Sequence, residues 1–399
     1  MKKILIISQH FPPDKSGNAS RIFDIAYYLT ILGSEVRVLS PPPSFPSGNF
    51  KRSWNLSFSS NIKGIFLTNL WTWQPKKKDP TFLNRMAYYL IFPLHASLWI
   101  FFNQKKFDII ITSAPPLFTH IPGFIAKRLF GKQWMMDIRD LWIDASISLG
   151  FVKKGSLSEQ LSRDFQTKCL KNADRIGVTT SELGRRITYD DTIKNKIKLV
   201  PNGVDLEKFP SHNIIKKQQI IYAGNVGHAQ DLENVIHAMK IITSKQIPLK
   251  LLIVGDGDIL PFLKRLVEQE HLETVVYFQD PLPREEIPKI LGESLIGLAP
   301  LKKMESLEYA APTKVYEYMA SSMPFLGCGK GEIENIARDS GSGVIAENNP
   351  ESIGKEIIEL VSNQIKMEQM GANGRQYVSE FYDRKTIAKQ LQTYLEEIS

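Results

Sequence analysis

The sequence predicts an α/β protein of two doubly wound, Rossmann-like parallel-sheet domains facing a central cleft. Three observations predict it. The chain has 399 residues, a length that favours roughly two to three domains over one. Short apolar runs alternate with helical patterns through the first half, as in a parallel sheet covered on both faces. The scheme then starts again in the second half, without the short repeat of a solenoid.

In the first half, Lys3–Ser8 reads as a strand followed by a Pro/Gly loop from Phe11 to Gly17. An amphipathic helix from about Ala19 ends at Gly33, where glycine suits a left-handed cap. Glu35–Ser40, Phe107–Thr112, Trp134–Asp137 and Arg175–Thr179 are the next strands, and Ser181 is placed to cap the helix after Thr179. The second half supplies Ile220–Ala223, Lys250–Val254, Val275–Phe278, Ile296–Ala299, Phe325–Gly327 and Val344–Ala346. We expect a first domain over residues 1–195, a second over 196–380, and a terminal helix over 381–399 that packs back on the first.

Apolar residues make up 43% and charged residues 23%, which excludes a disordered or fibrous chain. Cys169 and Cys328 are too few for a disulfide framework or a cysteine-rich zinc site, and the histidines do not cluster at metal-ligand spacing. No metal and no cofactor are expected. The N-terminal apolar run is too short for a signal peptide, and Met86–Phe102, interrupted by Pro93 and His95, falls short of a membrane span. The chain therefore reads as cytoplasmic.

Charge is unevenly placed. Residues 1–200 carry 29 Lys and Arg against 14 Asp and Glu, while residues 201–399 carry 21 against 28. The first half therefore faces something anionic. Trp71 and Trp73 precede Lys76, Lys77 and Lys78, and the aromatic, apolar Met86–Phe102 follows. Indoles prefer the headgroup region and lysines attract anionic lipid, so this segment reads as peripheral membrane docking without insertion. A core helix with a solvated lysine loop is the structural alternative. No RNA- or DNA-reading motif is present, so nucleic acid is not an expected partner.

Three loops follow strands where a phosphate could sit: Lys15-Ser16-Gly17-Asn18, Gly224-Asn225-Val226-Gly227 and Gly255-Asp256-Gly257. Glycine lets a backbone approach a ligand and a helix N-terminus offers free N–H groups, although strand-to-helix turns need glycine for geometry as well. The full dinucleotide spacing and the P-loop are both missing, which argues against NAD-dependent or ATP-hydrolysing chemistry.

Val200-Pro201-Asn202-Gly203-Val204-Asp205, the core from Leu251 to Leu291, and Pro312-Thr313-Lys314-Val315-Tyr316-Glu317-Tyr318-Met319-Ala320 resemble glycosyltransferase family 4. The loop Asp14–Ala19 and the segment Asp137–Trp142 resemble a bacterial subgroup, the L-fucosamine-type deoxy-amino-sugar transferases of O-antigen and capsule synthesis. The resemblance implies a GT-B fold and metal-independent, retaining transfer of an N-acetylated deoxyhexosamine from a nucleotide sugar, UDP-linked, to a polyprenyl-diphosphate-linked glycan. The reaction would run on the cytoplasmic face of the inner membrane. Glu317 would hold the ribose hydroxyls, because a carboxylate accepts from two vicinal hydroxyls. Lys314, one turn earlier, would meet the diphosphate, with Gly224, Asn225, Gly227 and Gly255 lining the donor. Arg139 and Asp140 are the expected catalytic residues, countering phosphate charge and orienting acceptor or donor hydroxyls; a structural ion pair is the alternative. His10, Gly17 and Asn18 would touch the acceptor.

The pattern also departs from the family. Tyr309 stands where most members carry a second glutamate, with Glu308 and Glu305 nearby. Asn225 and Gln230 stand where most carry Arg and Lys, and His228 lies in the same loop. A dianionic leaving group still needs cations, for which Lys314, Lys302, Lys303 and Arg139 are candidates. A GT-B epimerase or hydrolase, and a nucleotide-sugar-binding scaffold without activity, are the alternative functions.

Overall fold

The computed structural model describes residues 2–14, 16–44, 50–76, 81–148, 150–209, 215–304 and 307–398. Lys15, Lys77, Lys78 and Glu305 lie outside them. The chain divides into two units, residues 1–202 with 384–399, and residues 203–383.

The first unit contains β1 (Lys3–Ser8), β2 (Glu35–Ser40), β3 (Ser57–Ile62), β4 (Ile65–Leu70), β5 (Ile109–Ala114), β6 (Gln133–Ile138), β7 (Arg175–Val178) and β8 (Ile197–Leu199). Its helices are α1 (Gly17–Ile31), α2 (Phe82–Asn103), α3 (Ile121–Phe130), α4 (Trp142–Ser148), α5 (Leu157–Asn172), α6 (Ser181–Ile187) and α7 (Asp191–Lys194). The strands form one sheet in the order β3-β4-β2-β1-β5-β6-β7-β8. Every pair is parallel except β3 with β4. Helices cover both faces, so the central strands are buried through and through: all six residues of β5 and five of six in β1. That burial produces the unbroken apolar runs visible in the sequence.

Two features depart from the sequence expectations. The hairpin β3–β4 turns at Lys63-Gly64, both with positive φ, and Asn61 Oδ1 accepts the Gly64 N–H at 3.0 Å. β3 is a mostly exposed edge strand, so it carries no core-facing run to betray it. The first unit extends through Asn202 because β8 pairs parallel with β7, drawing residues 197–199 into the first sheet. One cap also moves by a residue: Thr180, not Ser181, caps α6, its Oγ1 accepting the Leu183 N–H at 3.1 Å.

The second unit contains β9 (Gln219–Ala223), β10 (Lys250–Val254), β11 (Val276–Gln279), β12 (Ile296–Ala299), β13 (Phe325–Cys328) and β14 (Gly343–Ala346). Between and after them come α8 (Leu232–Ser244), α9 (Leu260–Gln269), α10 (Ile287–Gly292), α11 (Thr313–Ala320), α12 (Glu332–Ser340), α13 (Pro350–Val361) and α14 (Gln364–Phe381). Strand order is β11-β10-β9-β12-β13-β14, all parallel. Separate apolar clusters lie on its two faces, one under α8, α9 and α13, the other under α11, α12 and α14.

α15 (Arg384–Glu396) returns to the first unit. Its Ile387, Leu391 and Leu395 join the core around β1, β2 and α1. Arg384 pairs with the buried Asp24 of α1. Cys169 and Cys328 are both free and buried.

α2 is 22 residues long, contains Pro93, and is apolar on both faces. With the turn that follows, Leu83–Lys106 contains an 18-residue window with a mean hydropathy of 1.2 and is long and apolar enough to cross a membrane by length and composition. The expectation that this stretch falls short of a span rests on Met86–Phe102, interrupted by Pro93 and His95, and the helix runs past both ends of it. Tyr88, Phe92, Ala96 and Ile100 are buried in the first unit, whereas Leu83, Leu94, Leu98, Phe101 and Phe102 are exposed.

Candidate active site

Doubly wound sheets bind ligands outside the carboxyl ends of their strands, at the point where the strand order reverses. In the second unit that point lies between β9 and β12. The chain leaves β9 through Gly224–Gly227 and leaves β10 through Gly255–Gly257, and the two loops are bound together. Gly224 N donates to Val254 O at 2.9 Å and Val226 N to Asp256 O at 2.9 Å. Gly224 and Gly255 have φ of +145° and +148°, so both need glycine. Gly227 is buried and Asn225 exposed. Gln230 turns inward, its Oε1 accepting the Gly227 N–H at 3.2 Å.

α11 packs beneath this crossing. Tyr318 OH donates to Leu298 O at 2.9 Å and accepts the Ala223 N–H at 3.3 Å, which ties the helix to β12 and β9 at once. Lys314, in the first turn, rests its Nζ 3.5 Å above the centroid of the Tyr222 ring. A Cβ on Gly224 would come within 3.2 Å of the same Nζ. Burial draws the Lys314 ammonium down to about 7, against the opposing pull of Glu317. Burial also raises the Glu317 carboxyl, with Arg284 and Lys314 pulling it back. A cation in the first turn of a helix faces the positive end of the helix dipole. The arrangement is thus short of negative charge and suited to an anion. Lys302 is partly engaged, its Nζ 3.9 Å from Asp231, and His228 lies 3.7 Å from Asp258.

In the first unit the order reverses between β1 and β5. His10 follows β1, and its Nδ1 is 2.7 Å from Asp14 Oδ2, while Asp14 Oδ1 accepts the Ser44 N–H at 2.7 Å. Gly17 and Asn18 open α1, capped by Ser16, whose Oγ accepts the Ala19 N–H at 3.1 Å. Both polar atoms of the Asn18 amide are buried without hydrogen-bond partners, as is Gln9 Oε1. Such atoms are rare and mark places where water or ligand is expected. Arg139 and Asp140 follow β6. Arg139 Nε donates to Ala114 O at 2.9 Å, and burial draws its guanidinium down to about 10, with Asp137 opposing. Asp137 is held by Arg21 at 2.7 and 3.0 Å and by Ser113 Oγ at 2.7 Å.

Trp71 and Trp73 are half-buried in the first unit. Trp71 O accepts from His95 Nδ1 at 3.1 Å and its ring stacks on Trp54. Trp73 Nε1 donates to Asn84 Oδ1 at 2.7 Å, and Arg52 covers its ring at 4.3 Å. Lys76 is exposed. Among the described residues no group of three or more His, Cys, Asp or Glu side chains could hold a metal ion.

Several neighbours escaped the sequence reading. Arg284, exposed in the loop after β11, acts on Glu317 through its charge. Tyr222 supplies the ring under Lys314. Tyr88 of α2 donates to Gln9 O at 3.4 Å and lies 2.5 Å from Ser44 Oγ. Of these only Tyr222, inside a recognised strand next to Gly224, carried a usable signal.

Comparison with known families matches the "Glycosyl transferase 4-like domain" to residues 16–203 and "Glycosyl transferases group 1" to residues 205–377. The colanic acid biosynthesis glycosyl transferase WcaI of Escherichia coli K12 is 25% identical over 340 residues, 80% of this chain and 81% of that one. The Escherichia coli UDP-Gal:alpha-D-GlcNAc-diphosphoundecaprenol alpha-1,3-galactosyltransferase is 27% identical over 57% of this chain and 59% of its own. Sucrose-phosphate synthase of Thermosynechococcus elongatus superposes with a TM-score of 0.74 at 16% identity, over 100% of this chain and 99% of that one. One family description falls on each unit, and the chain is a glycosyltransferase of the GT-B fold, with a family 4-like domain followed by a group 1 domain.

Proposed function

We propose that this glycosyltransferase moves an N-acetylated deoxyhexosamine from a UDP-sugar to a polyprenyl-diphosphate-linked glycan, with retention of configuration, in bacterial surface polysaccharide synthesis. The observation that carries the reading is the Lys314–Glu317 pair beside the Gly224–Gly227 loop at the switch point of the second sheet. One relative is named for colanic acid, and another for a UDP-sugar donor and a diphosphoundecaprenol acceptor, which supports the donor and acceptor classes. In this reading Lys314 neutralises the departing diphosphate, Glu317 holds the ribose hydroxyls, and Gly224, Asn225 and Gly227 let the backbone close on the phosphates. The acceptor belongs to the first unit, by Gly17, Asn18 and His10, with Asp140 orienting a hydroxyl and Arg139 countering phosphate charge. A phosphate oxygen of the leaving group helps to take the acceptor proton, and no single side chain is assigned as the base. The reaction runs at the cytoplasmic face of the inner membrane, where the enzyme is peripheral.

The donor half is tested by Glu317→Ala. Loss of a charged acceptor for two hydroxyls weakens UDP binding by about 1.5–3 kcal/mol, roughly 10- to 150-fold. Inorganic pyrophosphate, which has no ribose, binds the variant and the parent alike in isothermal titration. Unchanged UDP affinity would sink the ribose role. A selective rise in melting temperature with UDP over GDP, dTDP and ADP supports the base assignment.

A further inference from the structure

We infer that the outer face of α2 is the membrane-contacting surface of this enzyme, lying flat in an anionic bilayer surface with its basic end among the headgroups. The inference rests on the lipid-borne acceptor for its purpose and on α2 with its neighbour α3 for its geometry. A helix on the surface of a soluble protein turns charged and polar side chains outward. α2 does the reverse: no charged residue occurs from Met86 to Gln104. The outward positions are Leu83, Leu94, Leu98, Phe101 and Phe102, with exposures from 56% to 77%, and Leu129 of α3 adds to them at 67%. Phe101 meets Phe130 edge-on at 5.7 Å, which joins the faces of α2 and α3. From Leu83 to Phe102 the stripe runs about 28 Å, far more apolar surface in one line than scattered exposed side chains would leave.

Charge complementarity selects the occupant. Lys105, Lys106 and Arg128 are exposed beside the C-terminal end of the stripe, and no acidic residue occurs between Arg85 and Lys106. A second copy of the chain would offer those cations no acidic partner between Arg85 and Lys106, packed parallel or antiparallel, whereas anionic headgroups neutralise them. Spanning is opposed by the inner face. Tyr88, Phe92, Ala96 and Ile100 are buried, and Tyr88 is bound to Gln9 and Ser44. α2 therefore lies in the interface with one side in lipid and the other on the protein. That inner side reaches Gln9, the residue next to His10, so one helix connects the bilayer surface to the acceptor-side strand end. The contact is thereby placed on α2 rather than on Trp71 and Trp73, whose rings are engaged within the first unit.

The test is sedimentation of the full chain with vesicles of phosphatidylcholine alone or with 30% phosphatidylglycerol (about that fraction, to give a clearly anionic surface). The parent binds the anionic vesicles, and salt weakens that binding. The variant Leu94→Ser/Leu98→Ser/Phe101→Ser/Phe102→Ser loses it roughly tenfold or more, with UDP binding and melting temperature unchanged. Lys105→Gln/Lys106→Gln reduces only the anionic-lipid preference. Equal vesicle binding by parent and serine variant would overturn the inference. So would a parent that resists carbonate extraction as an integral protein, or one that forms a dimer abolished by the serine changes without binding vesicles. Because UDP binding is read separately, failure of this surface and failure of the donor site are distinguishable.

Discussion

Replacing Lys314 with methionine weakens UDP binding by about 1.5–3 kcal/mol, roughly 10- to 150-fold, and removes the pH dependence of that binding. The ammonium lies on the Tyr222 ring beside Gly224, and burial holds it near neutrality, at about 7. A bound diphosphate favours the charged form and so raises it. The sign follows from linkage: below about pH 7 the lysine is charged in both free and bound enzyme, and affinity is flat. Above it the free lysine has lost its proton, binding must take one up, and affinity falls by up to tenfold per pH unit until the bound-state value is reached. Glu317 opposes the effect of burial on this lysine, and Arg284 acts in turn on Glu317. Methionine keeps the apolar stem on Tyr222 and removes a charge that the unliganded protein holds at a cost, so the melting temperature without ligand stays level or rises. Titration calorimetry from pH 6 to about 9 reads both effects. A parent with flat affinity across that range, or a variant that matches the parent, assigns the diphosphate to another cation.

How far the sequence disclosed this site depended on burial. The strands β1, β5, β9 and β10 are covered on both faces, so each reads as an apolar run ending in a glycine- or proline-rich loop, and the loops at both switch points could be found from those runs alone. β3 and β8 lie at the two ends of the first sheet. β3 has an exposed face, β8 has only three residues, and neither carries an apolar run. In the site, the spacing of Lys314 and Glu317 on one helix was enough to put them on one face. Their partners were another matter: Tyr222 comes from β9 and Arg284 from the loop after β11, and only the sheet order brings them to α11. The same holds for α2. Its composition marked it as unusual, but only the fold separates the buried Tyr88, Phe92 and Ile100 from the exposed Leu94 and Leu98. The partners of the Trp71 and Trp73 indoles, Asn84, Arg52 and Trp54, are not legible in the sequence, because they are distant in the chain or of a kind that gives no contact signal.

Gly255→Ala is the second large effect, and a different glycine calibrates it. Gly255 has φ of +148°, and a Cβ built there would stand 1.9 Å from the carbonyl oxygen of Gly224. That oxygen cannot swing aside, because Gly224 N is bound to Val254 O and Val226 N to Asp256 O, each at 2.9 Å. Gly33 also has positive φ, at +92°, yet a Cβ there would meet nothing within 4 Å. Gly33→Ala therefore carries the conformational cost alone, about 1 kcal/mol. Gly255→Ala adds forced separation of two backbone loops, about 1–3 kcal/mol more. The expected sum, about 2–4 kcal/mol, lowers the melting temperature by roughly 4–16 °C for a unit of this size. Opening the crossing also moves Gly224 away from Lys314, so UDP affinity falls together with stability, whereas Gly33→Ala leaves UDP affinity untouched. This separates two reasons for a glycine after a strand. If Gly255→Ala melts like Gly33→Ala and still binds UDP, the loops can part freely and the crossing does not build the donor site. If it loses both, Gly255 serves the donor by letting Gly224 pass over it, whether or not it touches the ligand itself.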